Sequence, residues 1–142
     1  MLVRLLYASR AAEPLTPEVV DGILAVARKS NPALGVTGLL CHSGDNFIQV
    51  IEGGRDTISQ LYGRIVRDAR HRDVVLLKYE EITERRFAGW TMGQVNLGRV
   101  NPSILLKYSE RPVLDPYAVS GDVSMALLNE LIATACIASR PS

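Results

Sequence analysis

The stretch VTGLLCHSGDNFIQVIEGG, residues 36–54, decides the fold. Two short apolar runs, residues 36–42 and 46–52, flank Ser43-Gly44-Asp45. A glycine-containing turn between such runs predicts a β-hairpin, and Gly53-Gly54 ends its second strand. Upstream, residues 2–9 alternate, with Val3, Leu5, Tyr7 and Ser9 on one face and Leu2, Arg4, Leu6 and Ala8 on the other. Period two predicts a strand. Glu13-Pro14 breaks it, and Thr16-Pro17 reads as an N-cap with a first-turn proline. Val19, Ile23, Val26 and Ala27 keep helical spacing to about Lys29, and Asn31-Pro32 is expected to stop that helix. Downstream, Asp56 or Thr57 is expected to cap a second helix carrying Ile58, Leu61, Tyr62 and Ile65, ending near Ala69. Residues 73–82 and 90–97 read as two further strands.

The order βαββαββ predicts an α/β (α+β) fold. It is a ferredoxin-like sheet with strands one and three side by side and parallel, and both helices on one face. The tail differs. Asn101-Pro102 can start a short helix, and Ser120 or Asp122 can cap a longer one, to about Ala138. That helix carries Val123, Leu127, Leu128, Leu131, Ile132 and Ala135 on a broad apolar stripe. The sheet face bearing Leu2, Leu6, Ile48 and Val50 lacks a cover from the first two helices, so the tail is expected to pack there.

Composition narrows the function classes. The 142 residues are 47% hydrophobic and 22% charged, enough for one compact domain with a core. Sixteen Lys+Arg against fifteen Asp+Glu leave a net charge of +1, no footprint for nucleic acid or an anionic membrane. No apolar run spans a bilayer, and the alternating N-terminus with Arg4 does not read as a signal peptide. Cys41 and Cys136 stand far apart without metal-ligand spacing. These features predict a cytoplasmic protein.

Few residues invite chemistry. Cys41 and His42 are strand neighbours whose side chains point to opposite faces, which excludes a nucleophile–base pair. The other histidine, His71, lies on a different element, and Gly53-Gly54 lacks a following phosphate-loop lysine. Polar residues on apolar faces are more telling. Gln49 stands between Phe47 and Ile51, and Tyr7 between Leu5 and Ser9, so the two can meet under the helices. Asn31 reads alone as a helix terminator, Arg64 and Asp68 as a surface pair one turn apart, and Trp90 and Met92 as packing on the last strand. Together they converge on a cleft lined by Ile23 and Ile65, suited to a flat heteroaromatic ring with carbonyls and an N–H along its edge.

Five stretches then carry a resemblance: RLLYASR, NPALGVTGLL, NFIQVIEG, YGRIVRDARHRD and RRFAGWTMG. In their order and spacing, over roughly residues 1–97, the chain resembles the BLUF domain, a blue-light sensor that uses FAD. The resemblance implies that Tyr7 is the photochemical electron and proton donor and that Gln49 links it to the flavin. It implies that Asn31, Arg64 and Asp68 meet the ring's polar edge, that Ile23 and Ile65 sandwich it, and that Met92 and Trp90 are a switch pair. Position 30 is Ser30, where family members often carry Asn or His. The implied division is a flavin-binding core, 1–97, and a helical cap or output region, 98–142.

The resulting expectation is a photoreceptor module without its own enzymatic output. It would act through a downstream signalling protein, with a cyclic-di-GMP phosphodiesterase as one candidate, and as a homo-oligomer. Two other classes compete. A small-ligand regulatory domain shares the fold. An acylphosphatase-like hydrolase does too, but Arg10-Ala11-Ala12-Glu13 lacks the glycines that cradle an anion.

Overall fold

The computed structural model describes residues 1–134. Strands β1 (Leu2–Ala11), β2 (Thr37–Ser43), β3 (Asn46–Gly54), β4 (His71–Ile82) and β5 (Gly93–Asn96) form one sheet in the order β4-β1-β3-β2-β5. Helices α1 (Pro17–Leu34) and α2 (Arg55–Arg67) interleave with the strands, and α3 (Pro102–Leu106) and α4 (Gly121–Ala133) follow. This is the βαββαββ, ferredoxin-like fold.

β1 and β3 are neighbours as expected, but they run antiparallel, with Tyr7 opposite Gln49. The hairpin is the reason. It reverses the chain at Gly44, whose φ of 59° suits glycine, so β3 opposes β2. α1 returns the chain so that β1 and β2 run the same way, and β3, slotted between them, opposes both. β5 then adds parallel to β2 at the far edge.

Several boundaries differ from the sequence expectation. α1 does not stop at Asn31-Pro32 but runs to Leu34, ending at Gly35 with φ 69°. A proline in the final turn removes little of the helical ladder, and Gly35 and Val36 donate their N–H groups back to the last carbonyls. α2 starts at Arg55 with Gly54 at its N-cap and no side-chain cap, and it ends at Arg67, with Asp68 already extended. β4 begins two residues early, at His71. The last strand is only Gly93–Asn96, so Trp90 and Met92 precede it rather than belong to it. The physical cause lies in hydrogen bonding. The carbonyls of Trp90, Thr91 and Met92 go to Gly38 N, Asn31 Nδ2 and Arg28, not to a continuous ladder.

The central strands β1, β3 and β2 are buried on both faces, while much of the edge strand β4 is exposed. Val3, Leu5, Tyr7, Phe47 and Ile51 pack with Val20 and Leu24 of α1 and Ile58 of α2. On the other face Leu6, Ile48 and Val50 pack with Leu127, Leu128 and Leu131 of α4. Thr16 and Ser120 cap α1 and α4, accepting from Val19 N and Val123 N. Ala135 and the expected helix end near 138 lie outside the described residues. Among the described residues no helix is long and apolar enough to cross a membrane.

Candidate functional site

Directly opposed residues on antiparallel strands share a face, so Tyr7 and Gln49 rise together toward the helices. The Tyr7 hydroxyl donates to Gln49 Oε1, and Gln49 Nε2 donates to Met92 Sδ at 3.3 Å. Tyr7 is 1% and Gln49 7% exposed. Burial pushes the Tyr7 phenol well above its ordinary value, with Tyr62 and Asp68 adding to the effect. The phenol is therefore neutral and a committed donor at any ordinary pH.

Above this chain of side chains lies a cavity of about 290 Å³ between α1 and α2. Ile23 and Ala27 of α1 and Leu61 and Ile65 of α2 wall it, and Tyr7, Gln49 and Met92 line it from the sheet side. Asn31, Arg64 and Asp68 supply polar groups, and Ser30 also lines it. One residue of the expected set is absent. Trp90 packs against the α4-side cluster, where its buried indole N–H has no hydrogen-bond partner among the described residues. A larger cleft of about 750 Å³ opens near Thr16, Asp21, His42 and Arg99, but none of these convergent groups lines it.

Asp68 does not pair with Arg64. Its carboxylate takes Arg70 in a two-pronged contact, the closer prong at 2.6 Å, and also accepts from the Arg70 backbone N–H at 2.9 Å. Asp68 lies just past the helix, so its side chain turns into the following loop instead of lying along α2. The Arg70 side-chain hydrogen bond holds its carboxyl at about 2. Sequence reasoning missed three neighbours. Arg70 and His71 line the cavity, with His71 Nδ1 2.8 Å from Ser9 Oγ, and Arg28 donates from Nε and a terminal nitrogen to the Met92 carbonyl at 3.1 and 3.0 Å. Arg70 and His71 could have been flagged, since they fall inside YGRIVRDARHRD. Nothing local in the sequence marks Arg28.

The remaining candidates are inert. Cys41 is fully buried and burial pushes its thiol up to about 12, while His42 meets the Gln94 side chain. No group of three or more His, Cys, Asp or Glu residues able to hold a metal occurs among the described residues. The cavity fits a flavin ring on its own chemistry. Apolar walls face each other across a slot, an amide and a phenol sit at its base, and an amide, a guanidinium and a carboxylate border it. Its volume holds a ring system, not a whole dinucleotide.

The family model described as BLUF, sensors of blue-light using FAD, matches residues 2–93. The chain is 36% identical over 92 residues to photoactivated adenylate cyclase subunit beta of Euglena longa, matching 64% of this chain but only 11% of that protein. Among solved structures, BlsA in its photo-activated state superposes with a TM-score of 0.82 at 28% identity, covering 100% of this chain and 99% of BlsA. Klebsiella pneumoniae BlrP1, solved with calcium and cyclic di-GMP, gives 0.69 at 32% identity, covering 95% of this chain and 34% of its own.

Proposed function

The chain belongs to the BLUF family of blue-light sensors, and on that premise we propose that it binds FAD non-covalently between α1 and α2 and answers blue light by rewiring the Gln49 amide. The observation that carries this reading is the hydrogen-bonded series Tyr7–Gln49–Met92 at the base of the cavity. Ile23 and Ile65 would hold the ring by its faces, Asn31, Arg64 and Asp68 by its edge, with the dinucleotide remainder outside the cavity.

Bound there, the isoalloxazine ring supplies an electron acceptor under blue light. Tyr7 keeps its proton in the dark because burial disfavours the phenolate. Once it loses an electron the phenol becomes strongly acidic, and its hydrogen bond to Gln49 Oε1 gives the proton a path. The two ends of the amide are nearly isosteric. A half-turn or a tautomer therefore exchanges donor and acceptor inside an unchanged cavity. Met92 Sδ can only accept, so a half-turned amide loses that partner, and the polar edge of the bound ring would have to replace it.

The functional division is residues 1–97 as sensor and 98–142 as cap and output, with signalling through a downstream protein or a homo-oligomer. The likenesses to a cyclase subunit and to BlrP1 support a second-messenger partner, with a cyclic-di-GMP phosphodiesterase as one candidate. The test is an illuminated-minus-dark absorption spectrum of the purified chain. A yellow protein with a small reversible red shift is expected, and a colourless chain that takes up no flavin on refolding ends the proposal.

A further inference from the structure

Three consecutive carbonyls ahead of β5 are each held by a group from outside the segment. Trp90 O accepts from Gly38 N of β2 at 3.0 Å, Thr91 O from Asn31 Nδ2 at 3.2 Å, and Met92 O from the Arg28 guanidinium at 3.1 and 3.0 Å. Residues 28 and 31 are three apart and so share one face of α1. Two of the three clamps therefore come from the helix that walls the cavity.

We propose that Arg28 is a positioning residue that holds Met92 against Gln49 and thereby selects the dark orientation of the Gln49 amide. A methionine side chain has three rotatable bonds, so its sulfur stays at one point only if its backbone is fixed. Met92 belongs to no strand, and its carbonyl is held by Arg28. The sulfur accepts a hydrogen bond and cannot donate one. While Sδ lies 3.3 Å from the amide, the nitrogen end of Gln49 must face Met92 and the oxygen end must face the Tyr7 hydroxyl. Released, Met92 no longer distinguishes the two ends, and the amide samples both. The hydrogen bonds of Arg28 go to the Met92 carbonyl, not to Tyr7 or Gln49, and Arg28 is not among the residues lining the cavity. Its influence on the amide passes through Met92. The assignment of a dark state rests on the light-sensing reading, whereas the contact itself does not.

The test is NMR of the full chain, purified and kept dark, with labelled methionine methyls and glutamine side-chain amides. Met92→Leu and Gln49→Leu identify the two signals among the three methionines of the sequence and its glutamines. In Arg28→Ala the Met92 methyl signal is expected to move toward the position of free methionine, and the Gln49 amide pair to double or broaden. Arg28→Lys, which can donate to the same carbonyl, is expected to restore both in part. The neighbouring exposed change Lys29→Ala is expected to leave both signals in place. Unchanged Met92 and Gln49 signals in Arg28→Ala overturn the proposal. So does a folded Arg28→Lys no better than the alanine variant, because the role is then not that of a carbonyl donor. A chain without flavin defeats the light-sensing reading separately, since both signals come from the protein's own side chains.

Discussion

Gln49 occupies a place where the alternation of β3 calls for an apolar side chain, and among the described residues its side-chain partners are Tyr7 and Met92. This makes each partner's removal informative. Tyr7→Phe keeps the ring that packs in the core but removes the proton, so the variant should retain flavin and lose the light-induced red shift. Gln49→Leu should abolish the shift by removing the amide, and a normal shift in either variant, read by difference spectroscopy, would show the network to be misassigned. Arg4 is a different kind of buried polar residue. Its guanidinium meets Glu52 at 2.7 Å, and Glu52 also accepts from the backbone N–H groups of Arg86 and Phe87 at 3.0 and 2.8 Å. Arg4→Met leaves that buried carboxylate with backbone donors but without its countercharge and should cost about 3–5 kcal/mol in urea unfolding. His71 gives a pH dependence. Burial holds its imidazole below the usual 6.5, the carboxylate of Asp68 opposing this only in part. A depressed folded value means the contribution is present above the unfolded pKa and lost as pH falls through the folded one. The thermal midpoint should therefore fall as the pH drops below about 6.5, and less steeply in His71→Gln.

At the scale of elements, α4 is held to the sheet by burial and by one close backbone approach. Leu127 and Leu131 have no exposed surface, so Leu127→Ala should cost about 2–5 kcal/mol. Gly121 begins the helix where an added Cβ would lie 2.3 Å from the Leu77 carbonyl oxygen. Gly121→Ala must push the start of α4 away from β4. Amide hydrogen exchange should then show α4 losing protection while β1 and β3 keep theirs. Equal loss in all three would mean that the tail and the sheet unfold as one unit.

Across the whole molecule, the stretch from Arg86 to Met92 touches both faces of the sheet. Met92 lines the cavity, Phe87 is buried in the α4-side cluster, and the Arg86 guanidinium donates to Asn129 of α4 at 2.9 Å. A rearranged amide at Gln49 thus has a short physical connection to the tail. Coupling of about 1–3 kcal/mol is enough to shift a docking equilibrium between two states. Under continuous blue light, residues 100–134 should exchange their amide hydrogens at rates different from those in the dark, and Met92→Ala should reduce that difference. Identical protection in both states of the wild type would make the tail a structural lid and send the signal elsewhere.

Periodicity and turn chemistry are local properties, so the order of elements, the two caps at Thr16 and Ser120, and the opposed faces of β1 were legible in the sequence. Tyr7 and Gln49 stood out as well, because each is a polar residue where strand alternation calls for an apolar one, whereas Asn31 and Met92 read locally as a helix terminator and as packing. Tertiary structure alone decided the direction of β3 beside β1, which follows from where the hairpin inserts and not from either strand's composition. It also decided that Asp68 turns to Arg70 and that Trp90 packs on the α4 face. Arg28 shows why such contacts are hidden. Its partner is a backbone carbonyl 64 positions away, and a carbonyl has the same chemistry at every residue, so only the folded chain could say which one it holds.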